Sequence, residues 1–591
     1  MSGEIKNKEE IEIGRHTLAH VLAKAVTELY DNVKLAIGPY IDNGFYYDFD
    51  MPHVLTENDF EQIQKKMAEI ISRKEDLKRE EITVREAKKM FADQKYKLEL
   101  IEDLEKKSED MSVYYLGDDF VDLCRGPHVS NTSELKNWAF KISSVAGAYW
   151  RGDEKNSMLQ RVYVYAFPSK PELKEYLNFL EEAKKRDHRK LGPQLDLFFM
   201  DETAPGMPYW LPKGWKMFNI LLDFWREEHE KRNYQEISSP LVNHNVLWKT
   251  SGHWDHYQEN MFIVPISEEQ VFAVKPMNCP NAMKVYQKKV RSYRELPLRY
   301  SDCDVLHRKE VSGTLHGLFR VQMFRQDDSH NFITEDQISS EINSILDIAD
   351  LFYNIFGLKY TPVLSTRPED FMGDIKLWDR AESELKEILT TRYGDFEINE
   401  GDGAFYGPKI DILIKDCLNR TWQLGTIQLD FQLPRNFDLT YTDKDGTQKT
   451  PVVVHRVIYG SLERFMGILI EHFAGKFPFW ISAVQAGIVP VKPEHNNYAQ
   501  KISQELNKYK IRNEIDLSDN NMGTKIKNFR HEMLPYIIIV GDEEEKNQTI
   551  SIRTRTGAQK NNIQLEKFIE VCQNMNTTHA LELSDFSEEA E

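Results

Sequence analysis

The segment 298–331 limits the fold of this chain more than any other stretch of its 591 residues. Arg308 and Arg320 lie on either side of the turn-forming run Val311-Ser312-Gly313, between two strand-like stretches. This pattern predicts a strand–loop–strand hairpin that presents both guanidinium groups to one ligand. Arginine can bind phosphate or carboxylate through two parallel hydrogen bonds, so the hairpin is a candidate anion site.

The charge around this hairpin differs from that of the whole chain. Residues 284–325 contain ten Lys or Arg against four Asp or Glu, a local charge of +6, whereas the whole chain has a formal charge of −19. A solvated basic surface is the alternative explanation. The acidic total argues against a polybasic nucleic-acid binder, but a local basic site stays possible because charges act over about 10 Å. No GxxxxGK[ST] sequence is present, so any ATP must be bound by side chains such as these arginines.

The order of helical and strand-like stretches predicts an α+β multidomain protein. Residues 1–168 mix both patterns, and residues 169–190 are typical of a helical linker that ends in a charged run. Residues 191–482 combine strand-like segments with long helices, as in a large antiparallel α+β body. Residues 483–580 alternate strands and helices like a small α/β domain, and we expect the acidic tail 581–591 to be disordered.

The N-terminus and the cysteines indicate the compartment. The first ten residues lack the apolar core of a secretory signal and are too acidic for a transit peptide. Five scattered cysteines without a CxxC pair are typical of a cytosolic protein. The most apolar run, residues 477–491, is too short and too polar to cross a membrane. We therefore expect a cytoplasmic protein with no membrane partner.

Two short pairs of ligand-type residues predict one pocket in the N-terminal unit. His16 and His20 are four residues apart in a helical stretch, so both side chains lie on one face, and Cys124 and His128 repeat this spacing later. Four nitrogen and sulfur donors in two pairs resemble a tetrahedral zinc site, with structural core histidines as the alternative. Polar residues near this pocket in the sequence are Lys97 and Asp122.

Three other residues are candidate metal ligands because of the sequence segments that contain them. Cys279 lies in KPMNCP, His330 follows Asp-Asp-Ser, and His455 follows a strand-like run. Alone, such residues are more often structural than metal-binding. The segment 460–465 follows another apolar run and opens a helix, so Arg464 in its first turns is a third possible phosphate contact.

Together these segments resemble the three signature motifs of class II aminoacyl-tRNA synthetases: a long helix leading to YQEISSP at 234–240, the hairpin at 308–325, and residues 460–465. The sequences GMPYWLPKGW, KPMNC, SGTLHGLFRV, QDDSH, FYGPKID, WQLGTIQLDF, HTLAH and DLCRGPH are similar to those of threonyl-tRNA synthetases of the bacterial and eukaryotic type. The resemblance spans nearly the whole chain. It implies a homodimeric ligase acting on L-threonine, ATP and tRNA(Thr), with an N-terminal editing domain, a class II antiparallel catalytic core and a C-terminal anticodon-binding domain.

The resemblance also assigns roles at the active site. Arg308 would contact the α-phosphate of ATP and the threonine carboxylate, while Arg464 and Arg320 would contact the outer phosphates with Mg²⁺ bridging them. Charge that develops on the phosphoryl oxygens is stabilised by such preorganised groups. The remaining assignments are adenine contacts by Glu310 and Phe324, threonine contacts by Gln326, Asp328, Tyr406 and Gln428, an adenylate contact by Gln423, and a proton acceptor for the ribose hydroxyl at His253.

One Zn²⁺ per subunit is implied at Cys279, His330 and His455. Three protein ligands leave an open position for substrate. In this family the amino group and hydroxyl of threonine bind the metal, which rejects valine. Serine keeps the hydroxyl and differs by one methyl group, worth only about 1–3 kcal/mol, so a second site must remove it.

For that second site the resemblance implies hydrolysis of seryl-tRNA without a bound metal, in contrast to the zinc site that the spacing suggests. The residues implied are His16, His20, Lys97, Asp122, Cys124 and His128. Anticodon contacts are implied at Lys527, Glu544 and Arg553, with solvated surface charges as the alternative.

The chain departs from the family pattern at several positions. Asn281-Ala282 replaces a usual Gly-His, Val311 replaces a Pro, Gln322 replaces an Arg, and Asp519 and Lys527 differ in the anticodon module. Because HTLAH begins at residue 16, we expect no ubiquitin-like domain before it.

Two other functions fit the sequence less well. An RNA-binding regulator without catalysis is disfavoured because the motif arginines and the zinc ligands are retained. A zinc hydrolase at HTLAH would need a Glu between its histidines, and none is there.

Overall fold

The structure is a computed structural model that describes residues 7–267, 270–311 and 313–586. The chain forms two compact units, Met1–Glu182 and Ala183–Glu591. Among the helices described, none combines the length and the apolar composition that crossing a membrane would require.

The first unit opens with the helix Lys8–Leu29, which carries HTLAH. Its N-cap is Asn7, whose side chain accepts a hydrogen bond from the Glu10 N–H at 2.9 Å while the Glu10 carboxylate accepts one from the Asn7 N–H. This helix and Phe60–Ser72 pack on an antiparallel sheet through the buried core of the unit. The strands of that sheet are Lys34–Leu35, Tyr40–Ile41, Gly44–Asp50, Ala139–Tyr149 and Met158–Phe167.

A smaller antiparallel sheet completes the unit with strands Leu77–Glu81, Ser112–Leu116 and Phe120–Leu123. The helices Val84–Met90 and Lys95–Lys106 lie between its first two strands in the sequence. Cys124 follows the last strand directly, so the end of this sheet positions the CxxxH pair.

The stretch expected as a linker is helical. The helix Lys170–Arg186 crosses the boundary between the two units, and a second helix, His188–Gln194, begins after Asp187.

An eight-stranded sheet forms the centre of the second unit. It is antiparallel except for the pair at each edge. In spatial order its strands are Gln235–Glu236, Leu298–Asp302, Asp328–Ile333, Val452–Val457, Thr421–Asp430, Lys409–Lys415, Tyr360–Ser365 and Glu397–Asn399. Its main helices are Pro212–Glu230, Ile338–Asn354, Ile375–Tyr393 and Leu462–His472.

Two smaller sheets belong to the same unit. The hairpin strands Val305–His307 and Met323–Arg325 pair in antiparallel fashion, which confirms the predicted strand–loop–strand hairpin. A three-stranded sheet of Val242–His244, Ile263–Pro265 and Val271–Val274 precedes the helix Cys279–Tyr286.

The C-terminal part contains a mixed five-stranded sheet with its own buried core. Its strands, in spatial order, are Asn513–Ile515, Ala486–Pro490, Tyr536–Val540, Thr549–Thr554 and Gln559–Gln564, and its long helices are Asn496–Lys508, Met522–His531 and Leu565–Thr578. The expected α+β multidomain fold is confirmed.

The expectation of a disordered tail is wrong for residues 581–586. The Phe586 ring stacks on Phe568 at 5.6 Å between centroids, and the Tyr536 hydroxyl donates to the Ser584 carbonyl at 2.8 Å. Apolar side chains among the acidic ones dock this segment on the domain core. The rest of the expected tail, 587–591, lies outside the described residues.

Candidate functional site

A cavity of about 290 Å³ beside the hairpin is lined by Arg308, Arg320 and Arg464. Three guanidinium groups around one small cavity suit a polyphosphate ligand. Other predicted residues in its lining are Glu310, Phe324, Gln326 and Gln423.

Arg464 is held in place from both ends of its guanidinium group. It lies in the first turn of the helix Leu462–His472, where the N-cap Ser461 hydroxyl accepts a hydrogen bond from its backbone N–H at 3.2 Å. Its Nε donates to the Phe319 carbonyl at 2.9 Å and its Nη1 to the Gln423 carbonyl at 3.3 Å. The side chain is therefore fixed before any ligand binds.

The electrostatics of the cavity favour an anion. Burial lowers the pKa of Arg464, and the nearby positive charges of Arg308 and Arg320 lower it further. A cation that is desolvated beside like charges gains from a negatively charged ligand, because the ligand offsets both effects. The helix N-terminus beneath Arg464 adds a partial positive charge.

Three further contacts shape this cavity. Arg320 forms an ion pair with Glu310, with both Nε and Nη2 within 2.9 Å of one carboxylate oxygen. The Arg308 Nε donates to the Pro276 carbonyl at 3.2 Å, and its guanidinium carbon lies 5.0 Å from the centre of the Phe324 ring. Since the implied roles of Glu310 and Arg320 are with adenine and phosphate, nucleotide binding would have to open their ion pair.

The register of the central sheet brings the three predicted zinc ligands together. His330 lies directly opposite His455 on the neighbouring antiparallel strand. Cys279 begins the helix Cys279–Tyr286 beside them. One donor atom of each residue lies within 4.8 Å of the others, and all three side chains are buried.

This donor set fits a zinc ion. Both ring nitrogens of His330 and Nδ1 of His455 are buried without a hydrogen-bond partner, which is costly unless a ligand satisfies them. The other ring nitrogen of His455 contacts the Asp430 carboxylate at 2.8 Å, an arrangement that orients metal-binding histidines. Burial holds the pKa of His330 well below its usual value, which keeps the imidazole neutral as a ligand must be.

Predicted threonine-binding residues surround this cluster. Gln428 lies opposite His455 on the next strand, and the Tyr406 ring is 5.8 Å from the His455 ring. Asp328 accepts a long hydrogen bond from Asn278 at 3.4 Å, and burial raises the pKa of Asp328 to about 6. A buried carboxylate in this position is a suitable acceptor for a substrate hydroxyl or ammonium group.

His253 is buried and does not line the arginine cavity. The Ser251 hydroxyl donates to the Trp248 carbonyl, so His253 Nδ1–H must donate to Ser251 at 2.8 Å. Its Nε2 is therefore unprotonated, and no partner contacts it. Burial, with nearby His455 and Arg308, lowers the pKa of His253 to about 4, so the ring is a neutral but weak proton acceptor.

The N-terminal pocket assembles as the paired spacing predicts. The His128 ring lies 4.2 Å from both the His16 and the His20 rings, between centroids. The Cys124 Sγ lies 3.3 Å from His16 Nε2 and 3.2 Å from His128 Nε2. Burial lowers the pKa of all three histidines and raises that of Cys124 to about 11, so the pocket holds neutral imidazoles and a thiol.

Thr17 determines which ring nitrogen of His128 carries the proton. Its hydroxyl donates to the Ile13 carbonyl at 2.8 Å, so it can only accept from His128 Nδ1 and from the Val129 N–H, both at 3.2 Å. The proton of His128 is therefore on Nδ1, which leaves Nε2 as an unprotonated acceptor facing the Cys124 sulfur.

Lys97 and Asp122 form a buried ion pair beside this pocket. The Tyr47 hydroxyl donates to Asp122 at 2.6 Å, and His20 Nε2 lies 3.8 Å from the same carboxylate. The six predicted editing residues thus form one constellation.

The predicted anticodon residues are only partly brought together. Lys527 and Arg553 line one cavity of about 500 Å³ in the C-terminal part. Glu544 is not among its lining residues, and its carboxylate accepts from the Gly541 N–H at 3.0 Å and the Ser551 hydroxyl at 2.6 Å.

Sequence reasoning missed several residues that complete these sites. Asp430 is two residues after Gln428, so strand alternation could have indicated that both face the zinc-ligand cluster. Tyr47 contacts Asp122 and Thr17 contacts His128, and neither residue type gave a signal of its own in the sequence. Asp302, whose buried carboxylate has no hydrogen-bond partner and lies near His330, gave no sequence signal.

Family models match three parts of the chain. Residues 262–473 match the tRNA synthetase class II core domain (G, H, P, S and T), and residues 485–575 match an anticodon binding domain. Residues 111–163 match the threonyl and alanyl tRNA synthetase second additional domain. The fold and these matches define a class II aminoacyl-tRNA synthetase.

Individual relatives show which family of class II synthetases the chain resembles. The threonine–tRNA ligase of Acetivibrio thermocellus is 50% identical over 94% of this chain and 87% of the relative, and that of Thermotoga maritima is 49% identical over 98% and 90%. A crystal structure of the RNA binding domain of threonyl-tRNA synthetase from Cryptosporidium parvum matches with a TM-score of 0.64 at 40% identity, over 66% of this chain and 98% of that one. The chain belongs to the threonine–tRNA ligase family, which confirms the resemblance seen in its sequence.

Proposed function

We propose that this protein ligates L-threonine to tRNA(Thr) through a threonyl-adenylate formed from ATP, and that it hydrolyses mischarged seryl-tRNA(Thr) at a separate site. The observation that carries the proposal is the arginine cavity on the same sheet as the cluster of Cys279, His330 and His455. Relatives named threonine–tRNA ligase at about half identity support it.

In the activation step, the protein supplies charge and position. Arg308 is proposed to bind the α-phosphate and the threonine carboxylate, and so to hold the attacking oxygen near phosphorus. Arg464, fixed by two backbone carbonyls, and Arg320 are proposed to bind the outer phosphates together with Mg²⁺. Glu310 and Phe324 would hold the adenine, and Gln423 the adenylate.

Selection of threonine is proposed to depend on one zinc ion held by Cys279, His330 and His455. When bound, the ion would supply a Lewis acid that ligates the amino and hydroxyl groups of threonine and so discriminates against valine. Asp328 would accept the substrate hydroxyl, and the remaining contacts would come from Gln326, Tyr406 and Gln428. His253 is proposed as the acceptor for the proton of the terminal ribose hydroxyl.

Editing is proposed at the pocket of His16, His20, Cys124 and His128, without a metal. A neutral imidazole can take a proton from an attacking water, and the three histidines are all held neutral by burial. Lys97, oriented by Asp122, is the nearby cation that could stabilise charge on the ester oxygen.

Each proposed site lies in a domain of its own. We propose an editing domain at 1–168, a helical linker at 169–190, a catalytic domain at 191–482, an anticodon-binding domain at 483–580 and an acidic tail at 581–591. Anticodon contacts are proposed for Lys527 and Arg553, which share a cavity, and for Glu544. We place the protein in the cytoplasm, where its tRNA and ATP are available.

We propose a homodimer built on the segment that follows Pro240. Apolar side chains on and beside the small three-stranded sheet are 36–62% exposed in the single chain, namely Leu241, Val242, Val246, Ile263 and Ile266. A patch of this kind is typical of an interface. Sedimentation should give twice the chain mass, and a Val242→Lys variant should shift it towards the monomer.

Charging and deacylation assays test the function. The protein should esterify tRNA(Thr) with threonine when ATP and Mg²⁺ are present, and should release serine from seryl-tRNA(Thr) but retain threonyl-tRNA(Thr). Failure to charge with threonine would refute the ligase assignment, and slow release of serine would refute only the editing assignment.

A further inference from the structure

His188 lies in the charged run 184–190, where most side chains would be expected at the surface, yet its own side chain is completely buried. It begins the helix His188–Gln194, with Asp187 as N-cap. A buried histidine in a run of Lys and Arg requires a reason, because the neighbouring residues give no apolar environment of their own.

Both ring nitrogens of His188 are occupied. Nε2 lies 2.9 Å from the backbone nitrogen of Leu318, and since an amide N–H can only donate, Nε2 is the acceptor. The proton is therefore on Nδ1, which donates to the Glu471 carboxylate at 2.7 Å. With both nitrogens bound, the group formed by Asp187, His188 and Glu471 has no free imidazole donor for a metal ion.

The contacts of His188 hold the hairpin loop against one face of the helix Leu462–His472. Arg464, Gly467 and Glu471 are spaced three and four residues apart, so they lie on the same face. A side chain at Gly467 would come within 3.0 Å of the Phe319 ring, so this glycine lets the hairpin loop lie against the helix.

The loop is clamped to that face at two points. Near the helix start, the Phe319 carbonyl accepts from Arg464 Nε at 2.9 Å. Near the helix end, Glu471 holds His188, and His188 holds the adjacent residue, Leu318. The His188 ring also packs on the Phe319 ring at 4.1 Å between centroids.

Gly317 shows how closely the loop approaches the imidazole. Its φ is +51°, and a Cβ there would lie 2.2 Å from His188 Nε2. Only a glycine allows both the left-handed backbone and the contact.

We propose that His188 is a positioning residue for adenylate formation: it fixes residues 316–320 of the hairpin loop, so that the Phe319 carbonyl orients the Arg464 guanidinium in the cavity. This inference rests on the proposed activation of threonine by ATP. His188 touches no reacting atom, and its effect reaches the nucleotide only through Phe319 and Arg464.

Two conservative variants separate this role from a general structural one. In His188→Gln, the amide oxygen takes the place of Nε2 and can accept from the Leu318 N–H. In His188→Asn, the shorter side chain can still donate to Glu471 but leaves the Leu318 N–H without a partner. The assay is threonine-dependent ATP–pyrophosphate exchange, from which the KM for each substrate is obtained. Active-site titration measures the active fraction of each preparation and normalises its rate.

We expect His188→Asn to raise the KM for ATP roughly tenfold, the effect of one buried donor left unpaired, with the KM for threonine unchanged. His188→Gln should stay within about threefold of the wild type for both substrates.

His495→Asn is the matched control. His495 is equally buried, accepts from the Lys492 N–H at 3.2 Å and contacts the Asp542 carboxylate, but it lies in the C-terminal part. This variant should leave both KM values unchanged.

Three outcomes would overturn the inference or its basis. If His188→Asn and His188→Gln both lower only the active fraction, with unchanged KM values, the residue is merely structural. If the KM values for ATP and threonine rise together, the effect does not pass through Arg464. If the wild type shows no threonine-dependent exchange, the proposed function fails and the inference fails with it.

Discussion

Replacing Thr17 by valine should disable editing and leave adenylate formation intact. Valine keeps the shape of threonine but removes the oxygen that accepts from His128 Nδ1 and from the Val129 N–H. His128 can then carry its proton on either nitrogen, and in the wrong tautomer the Nε2 that faces Cys124 can no longer accept a proton. The proton-accepting geometry of the pocket is lost for a part of the molecules.

The structure sets the size of the effect. Two half-buried donors lose their acceptor at a cost of up to about 1–3 kcal/mol each, and a tautomer change of His128 can relieve one of them. We therefore expect the first unit to be destabilised by about 1–3 kcal/mol. Deacylation of seryl-tRNA(Thr) should fall at least about tenfold, the equivalent of 1.4 kcal/mol in the barrier.

Thr17→Ser is the control, because it retains the hydroxyl and loses only a methyl group. Deacylation rates of both variants should be measured with preformed seryl-tRNA(Thr), alongside threonine-dependent pyrophosphate exchange as an internal standard. Normal deacylation by Thr17→Val, or equal losses in both variants, would refute the proposed control of the His128 tautomer.

Three other predictions concern the same sites. His16→Ala combined with His20→Ala should leave threonylation largely intact but let seryl-tRNA accumulate, and unchanged deacylation by this variant would remove both residues from editing. Metal analysis should find one tightly held zinc per chain, lost in Cys279→Ser; two ions per chain would contradict the metal-free editing pocket. Burial raises the pKa of Glu463 to about 7. The stability that the protonated carboxyl contributes to the folded state is therefore complete below the unfolded pKa near 4.5 and is lost as pH rises through 7. Glu463→Gln, which can still accept from the Arg325 N–H, should therefore gain about 3 kcal/mol relative to the wild type between pH 5 and pH 8, measured by thermal unfolding; an equal pH response in both proteins would contradict it.

Residue spacing in the sequence was sufficient to predict how neighbouring residues are arranged within each site. The spacing of His16 and His20 placed them on one helix face, and the run around Val311 predicted the hairpin that carries Arg308 and Arg320. These features depend on residues close in the chain, where the geometry of a helix or a turn determines the outcome.

Contacts between distant segments could not be predicted in this way. His188 depends on Glu471 and Leu318, which are far away in the sequence, so its burial in a charged run was not foreseeable. The pairing of His330 with His455 needs the strand order of the central sheet, and that order follows from packing of whole elements. The tail near Phe586 was assigned by its acidic composition, which concealed the apolar side chains that dock it.

The most direct test of threonine activation at this site is the exchange of labelled pyrophosphate into ATP with each amino acid supplied alone. We predict rapid exchange with threonine, weaker exchange with serine and essentially none with valine, and loss of all exchange in Arg308→Ala. Equal exchange with valine and threonine, or none with threonine, would contradict the assignment of the arginine cavity and the Cys279, His330 and His455 cluster to threonine activation.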